Sequence, residues 1–333
     1  MTPHPEPSPQ PGTPSPQPGA PAAESGGPSA HTADPRDLVI ALSPFEEPRP
    51  RIVIAAERAG SLGLLDLGRD PDAPSAAFAE LTRLLGPGRR YGVRVPAGCP
   101  LGPAQLPPEV DTVLLADPAA YVPERVAGWA AAPGGPRVWA EATGLAEARA
   151  AVAAGASAVV AKGHEAGGRV GAATTFVLLQ QLLADPGVGV PVVACGGIGP
   201  HTAAAAFAGG AAGVLLDVQL ALTAECEAGL PAEVAAAIRA MDGSETRLVD
   251  GHRVYARPDL PAPQGPAAAL LGARDLRTRL LPVGQDGAAA ARLAARHRTT
   301  GGVLRAVRAP LAGPHAAAGA GRPPRPPPPR AHG

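Results

Sequence analysis

The run Lys162-Gly163-His164-Glu165-Ala166-Gly167-Gly168-Arg169-Val170-Gly171 sets four ionisable side chains among four glycines. Histidine and glutamate are residue types that move protons, and lysine and arginine are cations that stabilise developing negative charge. Gly163, Gly167, Gly168 and Gly171 carry no Cβ, so the backbone there can lie close against a flat ligand. A plainer reading competes: an ordinary turn with solvated charges, in which Lys162 points to solvent or pairs with Glu165. A second run, Cys195-Gly196-Gly197-Ile198-Gly199-Pro200-His201, leads directly into an Ala-rich stretch, and a third, Asp217-Val218-Gln219-Leu220-Ala221-Leu222-Thr223, comes one helix and one strand later. A glycine pair and backbone N–H groups beside a helix N-terminus are the ingredients of a phosphate site.

These runs need a scaffold, and the hydrophobic pattern supplies one. Short apolar runs at 38–42, 62–67, 90–95, 111–116, 137–141, 157–161, 191–195 and 212–216 read as strands. They alternate with helix candidates at 51–59, 75–85, 122–130, 144–154, 174–184, 201–209 and 232–241, and the Pro-rich connection 96–110 holds little helix. Eight strands in strict alternation with helices predict an α/β fold, a closed (β/α)8 TIM barrel, whose chemistry sits at the C-terminal strand ends. The three runs above each begin at such an end. Segment 51–59 contains Ile-Val-Ile-Ala, strand-like by propensity, and is assigned to helix because the barrel needs one there. Thr143 is expected to cap the helix at 144–154 and Gly155 to stop it. Glu57 and Arg58 read as a solvated helix face, Trp129 and Trp139 as packing, and Cys195 as a core thiol. His201 reads equally as a capping or phosphate-side residue and as a surface one. Segment 243–282 is expected to cross one end of the barrel or cover its mouth. The stretch after 283 holds one more helix.

Residues 1–36 are crowded with Pro, Gly, Ser and Gln, and 310–333 end in Pro-Pro-Arg-Pro-Pro-Pro-Pro-Arg before the last three residues. Neither buries enough apolar surface to offset its ordering entropy, so both are expected to be disordered Pro-rich tails. The expected organisation is a tail at 1–36, the barrel at 37–260, a partly helical extension at 261–309 and a tail at 310–333. The formal net charge is zero and no basic stripe with interleaved aromatics is present, which argues against nucleic acid as a partner. Three cysteines without a CxxC pair point away from a disulfide framework or a metal site and toward a reducing, cytoplasmic setting. No basic segment followed by an apolar core opens the chain. Residues 186–216 lack Asp, Glu, Lys and Arg, but Gly and Pro punctuate them, so they read as strand-helix-strand buried in the barrel, with no membrane span.

At this level of detail the chain resembles a known family. VVAKGHEAGGRVG at 159–171 and VPVVACGGIGPHTAAAAFAGGAAGVLLD at 190–217 look like the paired motifs of nitronate monooxygenases, the 2-nitropropane dioxygenase-like FMN barrels. AERAGSLGLLDLG at 56–68 and YGVRV at 91–95 resemble that family's first helix with second strand and its third strand. MDGSETRLVDGHRVYARPDLP at 241–261, and later LLPVGQDGAAAARLAARH, look like the subfamily fused to type I polyketide synthases and the enoyl-reductase component of polyunsaturated fatty acid synthases. The resemblance implies an FMN-dependent oxidoreductase, reduced by NADH or NADPH and acting on an enoyl thioester held by an acyl carrier protein or other synthase domains. It allows two alternatives: a nitronate monooxygenase, or a non-catalytic module of a multidomain synthase. Carried over residue by residue, Gly196, Gly197, Asp217 and Val218 would line the FMN phosphate, and Lys162 and Gly163 would lie by the isoalloxazine. Gly167 and Gly168 would shape the substrate side, and Lys162, His164, Glu165 and Arg169 would be the catalytic candidates. No metal is implied. Three departures stand out. Arg169 replaces the family's histidine after Glu-Ala-Gly-Gly, and arginine is no base near neutral pH. Val218 replaces a small or hydroxyl residue, and Arg94 stands where the third strand usually offers asparagine.

Overall fold

The computed structural model describes residues 34–131, 135–258 and 280–312. Eight parallel strands close into a barrel: β1 (Val39–Leu42), β2 (Gly63–Asp66), β3 (Tyr91–Val95), β4 (Val110–Leu115), β5 (Arg137–Ala142), β6 (Ala158–Lys162), β8 (Val192–Cys195) and β9 (Gly213–Leu216), with β9 pairing back onto β1. Each lies within about a residue of the strand that the apolar runs predict, because a strand buried on both faces must be apolar along its whole length. The helices of the ring include α1 (Pro50–Arg58), α2 (Ala73–Leu85), α3 (Pro123–Ala130), α4 (Leu145–Ala153), α5 (Thr175–Ala184) and α6 (Pro200–Ala208). The connection after β3 contains only a single 3-10 turn, Pro103–Gln105.

The strand-like Ile-Val-Ile-Ala stretch is helical in α1. Pro50 presets its first turn, and Ile52, Val53 and Ile54 are buried against the sheet, so tertiary packing overrides propensity. Two local expectations are corrected. Gly144, not Thr143, is the N-cap of α4, and Thr143 instead meets the Glu147 carboxylate through its N–H and hydroxyl. Glu57 is not solvated: it is buried beneath α1, where it accepts from the Gly63 N–H at 2.9 Å and pairs with Arg36 at 3.4 Å. The tail expected at 1–36 lies outside the described residues except for 34–36, and these are tied down, Arg36 pairing with Asp34, Glu57 and Asp111.

After β9 come the short helix α7 (Ala224–Glu227) and α8 (Ala232–Ala240). The expected extension supplies two helices rather than one. The first, α9 (Gly287–Arg296), packs on α8, and the second, α10 (Thr300–Arg308), packs on α1, α6 and β1, which is a helix's place in the barrel's outer ring. A small antiparallel sheet joins β10 (Thr246–Val249), β11 (His252–Ala256) and β12 (Leu280–Leu281). The loop after β6 contributes a two-residue strand to it, β7 (Gly168–Arg169), paired with β11. Segment 243–282 is thereby stitched to the loop at the end of β6. Expectations that fall on 259–279 lie outside the described residues. No described helix is long and apolar enough to cross a membrane.

The barrel interior is filled by Ile40, Leu42, Leu64, Leu114, Trp139, Val160, Val193 and Leu215, among others. Side chains along a strand alternate between faces, so a residue two positions beyond an inward one also points inward. Two beyond Leu64, Trp139, Val160 and Leu215 stand Asp66, Glu141, Lys162 and Asp217. The top layer of the barrel is therefore charged.

Candidate active site

Arg94 is the hub of that layer. Its side chain is 5% exposed and meets three acids from three other elements. It donates to Glu141 through Nε at 2.7 Å and Nη2 at 3.2 Å, to Asp66 through Nη1 at 2.6 Å, and lies 3.8 Å from Glu46. Lys162, the last residue of β6, is equally buried, its Nζ 3.4 Å from the same Glu141 carboxylate. Lys162 thus faces the barrel mouth and pairs with Glu141, not with Glu165 or solvent. Burial by itself pushes the Glu141 carboxyl up, but Arg94 and Lys162 outweigh it and hold it at about 2. Asp66 has one strong partner where Glu141 has two cations, and burial leaves it at about 6 despite Arg94. Burial also raises Asp217, against the pull of Lys162.

The other candidates of the loop after β6 are committed to their neighbours. His164 Nδ1 lies 2.9 Å from the Gly171 carbonyl, and its Nε2 faces Arg253 Nη2, an arrangement that suits a proton on Nδ1. Arg253 also donates from Nε to the His164 carbonyl at 2.7 Å. Glu165 accepts from the Thr175 N–H at 2.9 Å and hydroxyl at 3.1 Å, which caps α5. Arg169 forms a fork on Glu147 at 2.7 and 3.2 Å and donates to Thr143 Oγ1 at 3.0 Å. Of the four catalytic candidates, only Lys162 projects into the mouth. His201 is exposed at the start of α6, and Cys195 is buried, its thiol pushed well up by burial.

Gly196 and Gly197 turn the chain between β8 and α6 with φ of +106° and +68°, left-handed conformations that suit glycine. Their surroundings are already satisfied. The Gly197 N–H donates to Asp286 Oδ1 at 2.7 Å, the Asp217 N–H to Gln219 Oε1 at 2.9 Å, and the Val218 N–H to Asp217 Oδ1 at 2.6 Å. Val218 is fully buried. Asp286 comes from the far end of the chain, on the segment Pro282–Asp286 that runs from β12 to α9. That segment lies on the loop after β6: Gln285 N–H donates to the Glu165 carbonyl at 2.8 Å, and the backbones of Gly284 and Pro282 lie close against those of Glu165, Ala166 and Gly167. What remains open at the mouth is a cavity of about 20 Å³ between Phe45, Asp66, Arg94, Lys162, Gly167 and Pro282.

Sequence reasoning placed Lys162 but missed Asp66, Glu141 and Asp286. The first two had a signal, since each stands at or one residue before the end of a predicted strand, two positions beyond an inward apolar residue. Asp286 had none, because nothing local links it to residue 197. Among the described residues, no His, Cys, Asp and Glu cluster could hold a metal ion.

Residues 132–256 match the nitronate monooxygenase family model, a stretch that includes β6, the loop after it, and the loops after β8 and β9. Over that stretch the chain is similar to nitronate monooxygenases. Solved structures agree on the fold. A nitroalkane oxidase from Streptomyces ansochromogenes is 26% identical, covering 86% of this chain and 99% of its own with a TM-score of 0.64. FabK from Thermotoga maritima is 24% identical over 83% of this chain and 93% of its own, TM-score 0.68. The enoyl reductase domain of MlnA, from the macrolactin biosynthesis cluster of Bacillus amyloliquefaciens, is 12% identical over 83% and 95%, TM-score 0.58. No curated protein matches. The charged top layer and the seated C-terminal segment are features of this chain's own side chains.

Proposed function

We propose that this chain is an FMN-dependent oxidoreductase of the enoyl-reductase type, acting on an acyl thioester as a component of a polyketide or fatty acid synthase. The observation that carries the reading is the juxtaposition at the barrel's C-terminal face. The left-handed Gly196–Gly197 turn leads into the N-terminus of α6, and the inward cation Lys162 stands on the neighbouring strand. FabK and the MlnA domain, whose names mark the latter as an enoyl reductase, share the architecture. Nitroalkane chemistry is disfavoured on this chain, because Arg169 is no base and His164 is held at both ring nitrogens.

FMN does not fit the mouth as it is folded here. A cavity of about 20 Å³ holds about one water molecule, whereas small-molecule sites run to roughly 300–1,000 Å³. The N–H groups of Gly197, Asp217 and Val218 already have acceptors. Binding therefore requires rearrangement of the segment over the mouth, and no catalytic step is derived through the flavin. The same closure favours a second reading, a non-catalytic module that docks within a larger synthase. An absorbance spectrum of the purified protein before and after incubation with FMN, followed by reduction with NADH and with NADPH, separates the two. A flavin spectrum bleached by a nicotinamide supports the enzyme. A colourless protein that FMN does not reconstitute overturns it in favour of the docking module.

A further inference from the structure

The segment that closes the mouth is held at a point where an anion belongs. Asp286 immediately precedes α9, the position from which an acidic side chain ordinarily caps its own helix. It makes no such cap. Its carboxyl Oδ1 instead accepts from the Gly197 N–H, 89 residues away in sequence, at the entry to α6. Asp286 is 2% exposed, and its Oδ2 is buried without any hydrogen-bond partner. Burial, reinforced by the neighbouring Asp217 and Glu165, pushes its carboxyl well up. An acid placed at such cost, with one oxygen on a backbone N–H near a helix N-terminus, occupies the place of a ligand's anionic group.

The contact is close on both sides. A Cβ on Gly284 would stand 2.2 Å from the Glu165 carbonyl oxygen and 2.5 Å from the Ala166 carbonyl carbon. A Cβ on Gly167 would stand 2.2 Å from the Pro282 carbonyl oxygen. The two backbones touch only because both positions are glycine. Among the described residues, the polar bonds that hold the segment against the strand-end loops are Asp286 to the Gly197 N–H and the Gln285 N–H to the Glu165 carbonyl.

We propose that Pro282–Asp286 is a built-in competitor of the cofactor, with the Asp286 carboxyl oxygen taking the Gly197 N–H that the FMN phosphate would use and the chain around it covering the flavin's place. The closed mouth is the self-blocked form of the site, and FMN enters when the segment lifts away. This rests on the flavin reading given above.

The test is a titration of the full-length protein into FMN, followed by quenching of flavin fluorescence, for the parent, Asp286→Ala and Gly284→Ala. Neither substitution alters a residue on the barrel strands. The first removes the competing acceptor, and the second wedges the segment off the loop by the clash described. Thermal melts identify the variants that fold, and either one decides the matter if the other does not. Both are expected to bind FMN at least tenfold more tightly than the parent. Binding by the parent and the folded variants alike, or weaker binding by the variants, overturns the competitor while leaving the flavin reading intact. Binding by none of the chains overturns both.

Discussion

Removing Arg94 should expose how far the barrel mouth depends on one guanidinium. In Arg94→Met the replacement fills much of the volume but removes the guanidinium from Asp66 and leaves Glu141 with Lys162. The size of the effect follows from Glu141. Its carboxyl is held at about 2 against an ordinary 4.5, a difference worth about 3 kcal/mol at pH 7, since one pKa unit corresponds to about 1.4 kcal/mol. That agrees with the roughly 3–5 kcal/mol lost when one partner of a buried pair is removed. The sign with pH is fixed by the direction of the perturbation. A carboxyl depressed in the folded state contributes stability that is fully present above about pH 4.5 and lost as pH falls through about 2. In the variant, Glu141 and Asp66 are buried without Arg94, so both are raised and take up protons as pH falls from 7 to 4.5. The difference between parent and variant should therefore be about 3 kcal/mol or more at pH 7 and shrink by roughly half at pH 4.5. Urea unfolding followed by far-ultraviolet circular dichroism at the two pH values measures it. A loss below about 1 kcal/mol at pH 7, or one equal at both pH values, refutes the reasoning that Arg94 neutralises buried carboxylates.

Glu57 should show the opposite pH dependence. Burial raises its carboxyl to about 7 against the pull of the Gly63 N–H and Arg36, so the folded state holds a proton that the unfolded chain releases, and stability falls as pH rises from about 4.5 to about 7. Glu57→Gln keeps the acceptor for Gly63 and removes the titration, so its melting temperature should gain on the parent's across that window; a difference independent of pH counts against the argument. Gly63→Ala should cost about 1–3 kcal/mol or more by chemical denaturation, because its Cβ would stand 2.8 Å from the Val53 Cα where α1 crosses β2; a variant as stable as the parent would show that α1 yields easily. With FMN and oxygen supplied, neutral nitroalkane should be consumed at near background rate, because Arg169 is no base and His164 is held at both ring nitrogens. Brisk oxygen uptake with a neutral nitroalkane would show that His164 is released in the working site.

The alternation of apolar runs and helical stretches was enough to place all eight barrel strands, because each must be apolar on both faces whatever it packs against. Local chemistry likewise marked Gly155 as the stop of α4, where it adopts φ of +102°. Lys162 was legible as a mouth residue because it directly follows a strand. Propensity failed where packing decides, as in α1, whose Ile-Val-Ile run is helical only because the ring needs a helix between β1 and β2. Charge was misjudged for the same reason. Glu57 looks like any surface glutamate in sequence, yet its carboxylate turns under α1 to the Gly63 N–H.

What lay beyond the sequence is the set of long-range pairings. The types and order of Asp66, Arg94, Glu141 and Lys162 are written in four strands, and the two-residue alternation sends them all to one face. Closing the barrel is what brings them within hydrogen-bonding distance across separations of 21 to 47 residues. The bond between Asp286 and Gly197 spans 89 residues, and α10 comes round to pack against α1 from the far end of the chain. Periodicity reports only which face a side chain takes along its own element. Which carboxylate meets which cation or N–H depends on how distant elements are stacked, and that is decided only when the chain closes on itself.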